Sequence, residues 1–364
     1  MSLGFEQAGF DIVAAVDCDP IHVATHTANF PNCRTLEGDL SKLSGSEIRK
    51  QAGIHGRVID VVFGGPPCQG FSLIGKRNTS DPRNRRLQDF ARLVRELKPR
   101  YFVMENVAGL LAGEAAKALE SFVRRVRHAG YSVVMPVQVL DACDFGVPQR
   151  RRRVLVFGHR SDLPAPRQPE PYSKTVAAYK PPTVWDAIGD LPEVETCHDV
   201  SDAGIYSGAL REPSRYARIL RGLTDDPQDR SLKRNKNGNG LSGCLRTQHG
   251  TATVGRFEAT TPGTSESISR FYRLSKDGVS STIRAGTGPS NGSFMAARPI
   301  HPVTPRCITV REAARLHSFP DWFKFHCTKW HGFRQVGNSV PPLLARAVAK
   351  SVMDALVCNC RPKG

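Results

Sequence analysis

RVIDVVFGGPPCQGFS, residues 57–72, is the stretch that decides the fold class of this chain. Val58 to Phe63 form a short, valine-rich apolar run that stops at Gly64 and Gly65, which reads as a strand buried on both faces. Working outward, runs at 12–16, 101–104, 133–139 and 154–157 predict further buried strands. Between them Leu87, Phe90, Ala91, Val94 and Leu97 recur at helical spacing, so LQDFARLVREL lays one face on a sheet. Strands alternating with helices predict an α/β fold built on a doubly wound, mostly parallel, Rossmann-like sheet. Ligands of such sheets bind beyond the carboxyl ends of the strands. Asp17, the GGPPCQG turn at 64–70 and the pair Glu105–Asn106 all fall at those ends.

Charge narrows the partner. Lysine and arginine number 51 against 34 acidic residues among 364, a formal charge of +17 that favours a polyanion, with nucleic acid ahead of an anionic membrane. No apolar run approaches the roughly 20 residues that span a bilayer, and no charged-then-apolar leader opens the chain. The expectation is a cytoplasmic monomer with no membrane association. The ten cysteines are scattered and read as reduced thiols. No metal is expected, because Cys358 and Cys360 have no second pair at ligand spacing.

Beyond residue 160 the texture changes. Prolines accumulate over 161–182, and the stretch to about 305 is rich in Gly, Ser, Thr, Asn and Arg with weak periodicity. SLKRNKNGNG (231–240), RTQHGTATVGR (246–256) and STIRAGTGPSNGS (281–293) mix cationic, amide and hydroxyl side chains suited to phosphates and base edges. Regular structure returns where Thr309 and Glu312 have capping-box spacing ahead of REAARLHSF. QVGNSVPPLLARAVAKSVMDAL (335–356) then reads as a turn followed by an amphipathic helix.

Cys68 sits in a turn stiffened by Pro66 and Pro67, which suits a positioned nucleophile. An isolated cysteine is more often a buried structural thiol. The acid at Glu105 and the basic run at 149–153 shift the balance toward chemistry.

At these residues the chain resembles the DNA cytosine-5 methyltransferases of bacterial restriction–modification systems, and the resemblance runs over nearly its whole length. GGPPCQGFS (64–72), ENV (105–107), QRRRR (149–153), REAARLHSFPDWF (311–323) and QVGNSVPP (335–342) resemble five family motifs in family order. The resemblance implies methyl transfer from S-adenosyl-L-methionine to C5 of a cytosine flipped out of double-stranded DNA, through a covalent Cys68 adduct. It implies catalytic roles for Cys68, Glu105, Arg151 and Arg153, and cofactor contacts from Asp17, Asp39, Pro67, Asn338, Ser339 and Val340. It further implies DNA contacts from Gln69, Ser72, Gln149 and Arg284, with a cognate restriction endonuclease as companion.

Residues 1–165 plus 333–364 would form the catalytic domain and 166–332 a smaller, irregular target-recognition domain. A transfer-RNA methyltransferase and a noncatalytic DNA-binding remnant are the alternatives. The opening decapeptide MSLGFEQAGF resembles the segment that family members carry immediately after their first strand and its Phe-x-Gly-x-Gly loop. A start site placed downstream of that strand and loop is the favoured explanation, and the expected consequence is two neighbouring central strands left with unpaired edges.

Overall fold

The computed structural model describes residues 1–67, 86–196, 198–234, 240–286 and 298–359. In the first part, β1 (Ala14–Asp17) pairs in parallel with β2 (Arg34–Glu37), and β3 (Val61–Gly64) pairs in parallel with β4 (Tyr101–Val107). β7 (Arg152–Arg160) runs antiparallel to β4 and also to β5 (Tyr131–Val133) and β6 (Gln138–Asp141). The reversal has a local cause. A parallel partner needs a long crossover, whereas β6 and β7 are joined by the short 142–151 connection, which turns at Gly146 with φ 84°.

Two details differ from the sequence expectation. The run at 133–139 is two strands, because Met135–Pro136 interrupts it and proline has no N–H for a ladder. The strand β2 went unpredicted because RTLE buries only Leu36 and so has no apolar run.

Alternation along β4 and β7 builds two cores. Phe102, Met104, Val154 and Val156 pack against α4 (Arg86–Leu97) and α5 (Gly113–His128) through Leu87, Phe90, Phe122 and Val126. Tyr101, Val103, Leu155 and Phe157 face the other way, onto Phe5 of α1 (Ser2–Gln7) and onto Leu344, Val348 and Val352 of α12 (Pro342–Asn359). The last helix therefore packs back onto the first part of the chain.

Among the described residues no ladder joins β1 to β3, so the strands form two sheets. They are held side by side through side chains: Val16, Leu36, Ile59 and Val62 share one cluster with Ile48 and with Leu93 and Leu97 of α4. Ile48 belongs to α3 (Gly45–Ala52), which starts with a Ser44–Glu47 capping box, and α2 (Pro20–Asn29) links β1 to β2.

The region expected to be irregular carries only short helices: α6 (Tyr172–Thr175), α7 (Val184–Ile188), α8 (Arg215–Leu220) and α9 (Thr251–Ala259). They lead to α10 (Val310–Leu316), capped by the Thr309–Glu312 box, and α11 (Lys329–Asn338). The α11 helix extends through Asn338, so the expected turn reduces to Ser339–Pro341.

With little regular structure to satisfy its backbone, this region uses buried arginines. Arg315, fully buried, bonds Asp190 at 3.1 Å and Asp321 at 2.7 Å, while Arg306 bonds Glu312 at 2.8 Å. Arg311 reaches the carbonyls of Ser242, Pro320 and Phe323. The surrounding core joins Val184, Ile188, Ala313 and Phe333 to Leu3 and Phe30, so it crosses the boundary at 165/166. Among the described residues no helix is long and apolar enough to cross a membrane.

Gly158 of β7 lies against the Phe102 ring, which a Cβ there would overlap. Gly158→Ala should therefore destabilise the protein by about 1–3 kcal/mol, the usual cost of overpacking a tight core. Urea unfolding checks this, and an unchanged midpoint would count against the packing described.

Candidate active site

The β3–β4 register places Gly64 beside Met104, so the chain leaving β3 passes Glu105. A Cβ on Gly65 would stand 2.7 Å from Glu105 Oε2, so any larger residue at 65 would displace the Glu105 carboxylate from its place beside Arg153. Asn106 Nδ2 donates to the Pro66 carbonyl at 3.0 Å and its Oδ1 accepts from the Val107 N–H, fixing the approach to Pro67. Pro67 itself is exposed. Cys68, Gln69 and Ser72, the expected nucleophile and two expected DNA contacts, lie outside the described residues.

Across the β4–β7 pairing, Arg153 Nε sits 2.7 Å from Glu105 Oε1, and each side chain is only 12% exposed. The two stand diagonally on one face of the sheet, since Leu155 pairs with Glu105 and Arg153 with Val107. Burial lowers the Arg153 pKa, and the Glu105 carboxylate opposes that shift. The structure thus brings together Glu105, Arg153 and the start of the 65–67 turn at one strand tip.

Arg151 and Gln149 are placed otherwise than expected. Arg151 is 1% exposed, and its guanidinium donates to the carbonyls of Ile283 (2.9 Å), Gly337 (2.6 Å) and Ser339 (2.9 Å). Burial, with Arg153 nearby, disfavours its charge. Gln149 is fully buried and bonded to Ile283, Leu316 and His317. Both side chains turn into the protein, where the segments at 283, 316–317 and 337–339 close over them, rather than toward an open surface. Arg284 is exposed, as a DNA contact requires.

On the cofactor side, Asp17 closes β1 with a half-exposed carboxylate. His22 Nδ1 stands 3.4 Å away and the Asp19 N–H donates at 2.9 Å. Burial opposes its ionisation, yet these hydrogen bonds from His22 and Asp19 lower its pKa overall. Asp39 follows β2, accepts from Ser41 N and Oγ at 2.9 Å, and is held well below the usual carboxylate range by the hydrogen bond from Arg86. Asn338 is exposed, whereas Val340 is buried in the core and Ser339 offers its carbonyl to Arg151 and His317.

The amino group of Met1 is buried within reach of the field of Glu105. Burial lowers its pKa to about 6 against the field of Glu105, and it also acts on His26, which bonds Thr35 of β2. Two carboxylates held ionised at adjacent strand ends fit a ligand bearing ribose hydroxyls and an adenine amino group.

Residues missed from the sequence are His317, Arg86 and His22. His317 follows the last turn of α10, a helix buried on all sides, where a polar ring must find partners inside.

Comparison with known proteins gives the class to which this fold and its acid–arginine tip belong, that of the cytosine-modifying methyltransferases. The family model described as C-5 cytosine-specific DNA methylase matches residues 1–354. Type II methyltransferase M.XorII of Xanthomonas oryzae pv. oryzae is 51% identical over 98% of this chain and 82% of its own length. M.AgeI of Thalassovita gelatinovora is 31% identical over 97% and 96%.

A crystal structure of a prophage-encoded E. coli protein described as a DNA modification methyltransferase superposes with TM-score 0.80 at 33% identity, covering 98% of this chain and 96% of that one. The S. pombe Dnmt2 methyltransferase shares the fold, with TM-score 0.54 at 17% identity over 99% and 95%. The chain belongs to the C-5 cytosine-specific DNA methylase family, whose reaction is methyl transfer to cytosine C5 in DNA. Family and fold imply S-adenosylmethionine as the methyl source.

Burial holds the pKa of His26 down at about 4, with the Met1 amino group adding to the effect. A neutral folded histidine contributes its full stability above its unfolded pKa near 6.5 and loses it as pH falls toward 4. We predict a loss of roughly 1–3 kcal/mol over that window, which His26→Asn should flatten. Denaturant titrations between pH 7.5 and 4.5 check this, and identical profiles would refute the assignment.

Proposed function

We propose that the chain modifies a cytosine rotated out of duplex DNA, with Cys68 as nucleophile and Glu105 as the acid that reads and protonates the ring. The observation that carries this reading is the Glu105–Arg153 pair at 2.7 Å, held against Gly65 three residues before Cys68. C5 of cytosine is a weak nucleophile. A bond from the Cys68 sulfur to C6 moves electron density toward N3 and C5, and a proton held by Glu105 at N3 stabilises it. Arg153 orients the Glu105 carboxylate and keeps positive charge beside the ring and the thiolate. After methylation a base removes the C5 proton, the electrons return to the ring, and the Sγ–C6 bond breaks.

Asp17, Asp39, Pro67, Asn338 and the Ser339–Val340 backbone would hold S-adenosylmethionine, which when bound would supply an electrophilic methyl sulfonium. The buried state of Val340 favours a backbone contact over a side-chain one.

Residues 166–332 serve as the target-recognition part, with exposed Arg284 contacting DNA and Gln69 and Ser72 as further DNA contacts. Arg151 and Gln149 act from within the protein as positioning residues. We place the enzyme in the bacterial cytoplasm, on the nucleoid, as a monomer whose methylation protects sites from a companion restriction endonuclease. The net charge of +17 suits such a polyanionic substrate.

Labelled-methyl assays on DNA test the mechanism. Cys68→Ala should abolish turnover with DNA affinity retained, and Glu105→Gln should slow methyl transfer by roughly 100- to 10,000-fold. Undiminished turnover in the first, or a loss under tenfold in the second, would remove the residue from the role given.

A further inference from the structure

Gln149, Arg151 and His317 are buried groups that touch no reacting atom, and their bonding has a direction that backbone atoms dictate. Gln149 Oε1 accepts from the Ile283 N–H at 3.1 Å, which fixes the amide orientation, and its Nε2 donates to the Leu316 carbonyl at 3.2 Å. The same Nε2 is 2.9 Å from His317 Nδ1, so Nδ1 must accept. His317 Nε2 then carries the proton and donates it to the Ser339 carbonyl at 3.0 Å. Complete burial, with Arg151, Arg153 and the Met1 amino group as the nearby charges, keeps the ring neutral.

Segment 280–283 is zipped onto 148–151: Ser280 N–H donates to the Pro148 carbonyl, Arg150 N–H to the Ser280 carbonyl, and Thr282 Oγ1 to the Arg150 carbonyl. Arg151 adds a second link from Ile283 to Gly337 and Ser339. Gly337 also packs directly on the Arg284–Ala285 backbone, with no room for a Cβ.

We propose that Gln149, His317 and Arg151 form a buried positioning relay that couples the segment carrying Arg284 to the turn at Ser339, so that DNA and cofactor each tighten binding of the other. The inference rests on the functional reading above, in which residues 338–340 face S-adenosylmethionine and Arg284 faces DNA. Neither ligand touches the relay. Its effect is to hold two backbone segments in one arrangement, so ordering one segment lowers what the other must lose on binding.

The test measures binding of S-adenosylhomocysteine and of a duplex carrying the enzyme's own methylated site, each with and without the other. The wild-type chain should show reciprocal tightening in the range of roughly 5- to 150-fold. His317→Met and Gln149→Met, similar in size but unable to relay, should bring that factor below about 2. His317→Gln, which can accept from Gln149 and donate to Ser339, should keep it.

In the wild-type protein, imidazole nitrogen NMR should find His317 neutral with the proton on Nε2, a readout that needs no variant to fold. A proton on Nδ1 or a charged ring at pH 7 would overturn the relay. So would full coupling in the methionine variants, or none in the wild type. A wild-type chain that binds neither ligand would instead overturn the functional reading itself, and the relay with it.

Discussion

The antiparallel pairing of β4 with β7 is the constraint on which the rest depends. It sets Arg153 across from Val107 and diagonally to Glu105, so that a guanidinium and a carboxylate meet at 2.7 Å with little water around them. A desolvated pair of this kind is costly unless its geometry is good, and losing one partner leaves the other charge stranded. The same strands distribute apolar side chains to both faces, where α4 and α5 cover one core and α1 and α12 the other. The strand tip that carries the chemistry is thereby held by the two largest packing surfaces of the first part of the molecule.

The second part solves a different problem. Among its described residues it has isolated bridges but no strand, and it must still order many carbonyls, which it does with arginines whose five donors reach several acceptors at once. Arg306, Arg311 and Arg315 are each at most 2% exposed, and their partners include Glu312, Asp190, Asp321 and the carbonyls of Ser242 and Phe323. Arg151 repeats the device at the seam between the parts. The basic composition therefore has two sources: cations turned outward toward a polyanion, and cations turned inward to hold loops.

Much of this was legible from residues alone. The valine-rich runs located β1, β3, β4 and β7, and the spacing of Leu87, Phe90 and Val94 located α4. The glycine at 65 and the acid at 105 were placed at neighbouring strand ends by topology, and there they are found.

The features that stayed hidden depend on physics that pattern does not carry. RTLE has no apolar alternation, so β2 forms because β1 and Leu36 offer it a partner rather than because of its own propensity. Charged QRRRR reads as an exposed basic run, yet alternate residues of a strand face opposite ways, which sends Arg151 inward and leaves Arg152 exposed. Helix α10 carries two arginines and a glutamate and is nevertheless buried throughout, because each charge has found a partner in another segment.

The central claim is that the sulfur of residue 68 and the carboxylate of Glu105 act on the same extruded ring. A duplex with 5-fluorocytosine at the methylated position tests it most directly, since fluorine cannot leave as a proton does and the Sγ–C6 bond then persists. With S-adenosylmethionine present, mass spectrometry should find the methylated fluorocytosine on the peptide containing Cys68. A nucleoside joined to any other residue, or no covalent complex from a preparation that methylates ordinary DNA, would contradict the account.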